Sequence, residues 1–124
     1  MASIPLDLAL IKLGRAVLPS EATPFTVVDW PAGAVSVDLV GYGRDRPLIA
    51  SIREMCPWLA DEHDAKLMGC AVVPGLSGAP AVLAGSRDFV AVVSTSVGTW
   101  VKGEQSLLVP IAPHLATLRA LIAP

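Results

Sequence analysis

A chain of 124 residues is one domain's worth, and 53% hydrophobic against 16% charged residues gives it enough apolar surface for a core and excludes a disordered chain. The formal net charge is −2 and the nine Lys and Arg are scattered, so no nucleic-acid partner is expected. Eleven prolines and ten glycines interrupt every apolar run before it could cross a bilayer, so no membrane partner is expected either.

The N-terminal stretch MASIPLDLALIKL has no basic segment ahead of its apolar run, and Asp7 and Lys12 break that run; it reads as carrying no signal peptide. Residues 8–17, LALIKLGRAV, form the first strand candidate. Residues 18–33 read as an extended connection, because Pro19, Pro24 and Pro31 block helix and central strand alike. In 34–43, Val35, Val37, Leu39 and Gly41 share one face and Ser36, Asp38 and Val40 the other, the period-two alternation of a strand. Further strands are expected at 47–56 and 65–73, with the polar PWLADEHD as the hairpin loop between them. Strands at 79–85 and 89–97 follow, joined by a turn at GSRD, and a last strand at 105–111. Leu115, Leu118, Leu121 and Ile122 then recur at helical spacing, which predicts a short amphipathic helix. The expected fold is all-β: about six short strands in a small barrel, with a C-terminal helix.

Two cysteines, Cys56 and Cys70, with only His63 between them leave a zinc site short of four ligands, so no metal is expected. The pair is either two buried thiols or one disulfide. A bridge would stabilise by about 3 kcal/mol in the chain-entropy model and would imply an oxidising compartment. No cofactor is expected.

The stretch VVPGLSGAPAVL places Ser77 between glycines. A serine nucleophile needs a rigid turn, a base, and donors aimed at the developing oxyanion. Gly75 lets the backbone turn its amides inward, so the N–H groups of Gly75 and Ser77 could form such a hole, and Gly78 leaves room for a substrate backbone. The plain alternative is a Gly/Ser turn between two strands. The G-x-S-x-G elbow of an α/β-hydrolase does not fit, since Ala79 and Pro80 follow and lead into a strand.

The run GCAVVPGLSGAPAVLAGSRDFVAVVSTSVG resembles the nucleophile region of trypsin-like (chymotrypsin-fold) serine peptidases: a Cys (Cys70), G-x-S-G-x-P (residues 75–80), a strand, a turn, and a strand ending in Ser94. DLALIKL at 7–13 is similar to the family segment in which the triad Asp precedes an apolar strand, and VDLVGYGRDRP at 37–47 to the first strand of the second barrel. Together these motifs, in the family's order, look most like compact bacterial members. The resemblance implies a six-stranded antiparallel Greek-key second barrel with its helix at 34–124, a connection at 18–33, and a remnant of the first barrel at 1–17. It implies peptide-bond hydrolysis through an acyl-enzyme on Ser77, with a peptide or protein substrate. Asp7 would orient the catalytic imidazole. Gly75 and Ser77 would give the oxyanion hole. Ser94 would sit at the cleft edge within reach of Asp7, and Thr95 and Ser96 would offer backbone to an extended substrate. Ala71 would lie near the floor of the primary pocket, with a small or apolar preference. Cys56 and Cys70 would be bridged, and the parent protein would be periplasmic or secreted.

The chain departs from the family in one respect that matters chemically. The family's His precedes its Asp, and no His precedes Asp7; His63 and His114 come too late. Loss of a triad His costs on the order of 10⁶ in turnover. The chain alone is therefore expected to be nearly inactive, with the imidazole coming from a missing N-terminal barrel or a separate chain; a non-catalytic peptide-binding or structural barrel is the alternative. Leu76 stands where zymogen-activated relatives carry an Asp, so the loop is expected to be held by packing rather than by an ion pair.

Overall fold

The structure, a computed structural model, describes residues 7–33, 35–99 and 103–122. The reading of residues 1–6 lies outside the described residues, as do Ala34 at the head of the 34–43 strand and the last two residues of the helical stretch. Seven strands are seen in chain order: β1 (Thr26–Val27), β2 (Ser36–Gly41), β3 (Ser51–Glu62), β4 (Ala65–Met68), β5 (Pro80–Leu83), β6 (Asp88–Thr99) and β7 (Gly103–Pro110). A 3-10 turn at Ala112–His114 leads into α1 (Leu115–Ile122).

Six of the strands close a barrel in the ring order β2-β3-β4-β7-β6-β5, with β6 and β7 completing the circle. Every neighbouring pair is antiparallel. Closure removes the exposed strand edges that a small open sheet would carry. Residues 69–79 carry the chain from β4 past two strands to β5, a Greek-key crossover, and Ser77 rides on it. The inward side chains Val37, Leu39, Met68, Val90, Val93 and Leu108 fill the barrel. They come from four strands, and Val37 and Leu39 on β2 show the alternation that the period-two pattern requires. The two-residue β1 pairs with β6 in parallel, outside the ring. Pro24 and Pro31 flank it and keep the rest of 18–33 out of the sheet.

Four expectations change. The strand expected at 65–73 ends at Met68, where the crossover begins. Residues 8–17 are not a strand; Ile11 and Leu13 are 79% and 59% exposed there. Apolar content does not make a strand without a partner, and no described segment pairs with this one. Residues 57–62 are not a loop but the second half of β3, and only His63 and Asp64 turn, with φ of 50° and 67°. Positive φ at both central residues is the two-residue hairpin turn that matches strand twist. Pro57 does not end β3 because it stands between two register irregularities, at the point where β3 leaves β2 for β4. Finally, β3 begins only at Ser51, because two successive turns (Arg46 N–H to Gly43 O, Ile49 N–H to Arg46 O) occupy the residues before it. The C-terminal helix forms as expected, but its stripe is buried only in part. Leu115 and Leu118 are half-buried while Leu121 and Ile122 face out.

The β2–β3 irregularity has an identifiable clamp. Met55 adopts φ 55°, and its N–H donates to Asp38 Oδ1 at 2.9 Å. Asp38 Oδ2 accepts the Gly85 N–H of the β5–β6 turn at 3.0 Å. One outward carboxylate thus fixes a bulge and a turn. Asp38→Ala is expected to lower stability by about 1–2 kcal/mol, read as a lower urea midpoint at unchanged slope. Cys56 and Cys70 are bridged, with Cα atoms 5.5 Å apart, which ties β3 to the start of the crossover. This decides between thiols and disulfide in favour of the bridge.

Candidate functional site

The crossover loop is held by its own packing. Leu76 is 5% exposed within the core cluster. Its N–H donates to Val73 O, its carbonyl accepts Ala79 N–H at 2.9 Å, and Arg44 N–H donates to Pro74 O at 2.6 Å. Gly75 and Gly78 adopt φ of +98° and +85°, conformations that favour glycine. Two bonds lay the end of the loop on β6: Gly78 N–H to Val93 O at 2.7 Å, and Val93 N–H to Ala79 O at 2.9 Å. Ser77 is thereby fixed on an exposed turn with a buried leucine directly behind it.

Of the amides between 75 and 79, those of Leu76, Gly78 and Ala79 are bonded within the protein. Those of Gly75 and Ser77 make no hydrogen bond to a described residue. Both residues are exposed, so these amides face water, as leftover amides of a surface turn do. Here the loop keeps two donors, on alternate residues, available beside an exposed hydroxyl.

Ser94 connects this loop to the N-terminal segment. On β6, Val93 stands opposite Leu108 and Thr95 opposite Leu107, so Ser94 is the extra residue of a bulge. A bulge leaves its extra residue outside the ladder and re-aims its groups. The Ser94 carbonyl accepts Ser77 Oγ–H at 3.0 Å. The Ser94 hydroxyl, on a residue 8% exposed, donates to Asp7 Oδ2 at 2.6 Å. Ser94 therefore bonds both residues, Ser77 through its carbonyl and Asp7 through its hydroxyl, although 87 residues separate it from Asp7.

Ser77 and Asp7 share a groove of about 550 Å³. Its remaining walls are apolar, from residues 8–11 on one side and Phe89, Val92, Ile111 and Leu118 on the other. Ala71 is half-buried early in the crossover, and Thr95 and Ser96 lie further along β6, where the Thr95 hydroxyl donates to Ser96 O at 3.3 Å. None of these three lines the groove. His63 sits exposed at the tip of the β3–β4 turn. His114 lines a different hollow of about 680 Å³ with Asp29, Trp30, Asp61, Asp64 and Lys66. There Lys66 Nζ lies 2.8 Å from Asp61 Oδ1 and holds that carboxyl below the usual carboxylate range. That hollow is larger but brings no nucleophile and leftover amide pair together, so the chemistry of interest is at Ser77.

Sequence reasoning missed the bulge at Ser94 and the clamp at Asp38. A faint signal existed for the first: four apolar residues (90–93) give way to Ser94-Thr95-Ser96 inside one strand. Comparison with family models, with curated proteins and with solved structures finds no match to this chain.

Proposed function

We propose that this barrel is the nucleophile-bearing part of a trypsin-like serine endopeptidase, nearly inactive until an imidazole is supplied from outside the described residues. One observation carries the reading: an exposed serine with two leftover amides is joined through Ser94 to a carboxylate in the same groove. In this reading Ser77 Oγ attacks a peptide carbonyl carbon and its proton passes to the supplied imidazole. The oxyanion is met by the N–H groups of Gly75 and Ser77. The imidazolium then protonates the leaving amine, and water hydrolyses the Ser77 ester. The disulfide fits an exported parent protein. The hydroxyl that now donates to Ser94 O must swing towards the base, a rotation about one side-chain bond.

Fluorophosphonate labelling tests this. Folded chain alone is expected to label slowly at Ser77, yet faster than chain unfolded in urea, because an oxyanion hole retains a residual effect of about 10³–10⁴ without the base. Ser77→Ala should abolish the labelling. Equal labelling in folded and unfolded chain would reduce Ser77 to a turn residue. A second reading, a barrel that binds peptides in this groove without turnover, draws on the absence of either histidine from the groove lining. It predicts peptide binding that Ser77→Ala leaves intact and no labelling advantage on folding.

A further inference from the structure

The connection between β2 and β3 exposes an unusual amount of apolar side chain. Leu48 is 92% exposed, Ile49 62% and Tyr42 57%. At its base Ile52, 58% exposed, stands opposite Val40 on the outer face. These residues are not loosely placed. Two consecutive turns define the tip, and Arg44 N–H on Pro74 O anchors its stem to the barrel. A fixed cluster of exposed apolar residues of this kind marks an interaction surface.

The charges around it carry a small positive excess. Arg44, Arg46 and Arg53, half of the chain's arginines, lie within this stretch. Among the described residues the ion pairs are Arg15 with Glu21 and Lys66 with Asp61, so none of the three is engaged in one. Asp45 and Glu54 offset them in part. Arg46 and Arg53 also flank a hollow of about 270 Å³, whose other polar lining is Asp45 and Ser51. Two guanidiniums beside a small hollow suit a phosphate group.

The shape decides between occupants. A peptide adding as a strand could pair only with the free edge of β3 at 51–56, which would leave Leu48 and Ile49, in the turn before it, uncovered. A helical peptide needs an apolar groove, and Leu48 and Ile49 instead project from a turn. A lipid interface accepts a projecting apolar tip without shape complementarity, while flanking arginines reach headgroup phosphates. We propose that the β2–β3 tip docks the protein onto an anionic lipid surface, Leu48 and Ile49 entering the interface and Arg44, Arg46 and Arg53 contacting phosphates. No helix among the described residues is long and apolar enough to cross a membrane. The expectation of no membrane partner rested on the lack of a spanning run, and a docking tip needs none.

Co-sedimentation with vesicles tests the proposal, using phosphatidylcholine and phosphatidylglycerol in about a three-to-one ratio. The full chain should partition onto them at low salt, and much less onto phosphatidylcholine alone or at high salt. The double variant Leu48→Ser/Ile49→Ser and the triple variant Arg44→Gln/Arg46→Gln/Arg53→Gln should each weaken partitioning about tenfold or more. All five side chains are exposed, so unfolding midpoints should not move. No partitioning at low salt, or a double variant that partitions like wild type, would overturn the proposal. So would full competition by inorganic phosphate at constant ionic strength, which would mean an anion pocket alone. Binding to an acidic, leucine-rich peptide by a chain that ignores vesicles would also overturn it, by putting a protein on the tip.

Discussion

Free imidazole is expected to raise ester hydrolysis by the wild-type chain above the level it gives with Ser77→Ala. This is the outcome expected if the groove has its nucleophile and lacks only a base. At present the Ser77 hydroxyl donates to the Ser94 carbonyl, which accepts a hydrogen bond but cannot take the proton. Loss of a tethered histidine costs on the order of 10⁶, and a well-placed base has an effective molarity of about 10⁵–10⁸ M. Imidazole at roughly 1 M should therefore recover only a small part of the deficit, about 10–100-fold over the chain alone. The increment should be linear in the neutral imidazole concentration and should rise through the imidazole pKa, about 6.5–7, as pH increases. Asp7→Asn should flatten that slope, because it removes the charge that favours an imidazolium in the groove that Asp7 shares with Ser77. If wild type and Ser77→Ala show the same slope with imidazole, the groove is not a nucleophile site and the peptide-binding reading takes its place.

The barrel was legible because its strands alternate. Val37 and Leu39 face the core and Asp38 faces out, as period two requires. What local pattern could not show is pairing. Residues 57–62 look like a polar loop, since nothing nearby reveals that β3 exchanges one partner for another at Pro57. Residues 8–17 look like a strand, since apolar content carries no information on whether a partner exists. The same limit hid the Ser94 bulge, which is a property of β6 and β7 together. The candidate site was easier to read than these elements. Ser77 and the two glycines around it form a motif visible in a few consecutive residues, although the bonds that hold the loop, to Arg44 and Val93, are long-range. Asp7 was named only through resemblance; the contact that brings it to Ser94 spans nearly the whole chain, and no local rule predicts it.

Gly75→Ala is expected to cost about 3–4 kcal/mol, and Gly78→Ala about 1 kcal/mol, although the two glycines stand three residues apart in one loop. Both have positive φ, +98° and +85°, so alanine is strained at either. Their surroundings differ. A Cβ on Gly78 meets nothing within 4 Å. A Cβ on Gly75 would stand 2.8 Å from Arg44 N and 3.3 Å from Tyr42 O, both backbone atoms that cannot swing aside. Relief requires the loop to lift, and lifting it stretches the Arg44 N–H bond to Pro74 O and disturbs Leu76 in the core. The same movement displaces the Gly75 and Ser77 amides. The Gly75→Ala chain should therefore lose both its stability and the labelling advantage of folded over unfolded chain, while Gly78→Ala keeps most of each. Urea midpoints at unchanged slope measure the first effect and fluorophosphonate labelling the second. Equal costs for the two substitutions would mean that the close backbone approach at Gly75 does not hold the loop. Lost labelling at unaltered stability in Gly75→Ala would separate the amide geometry from the packing that is argued to maintain it.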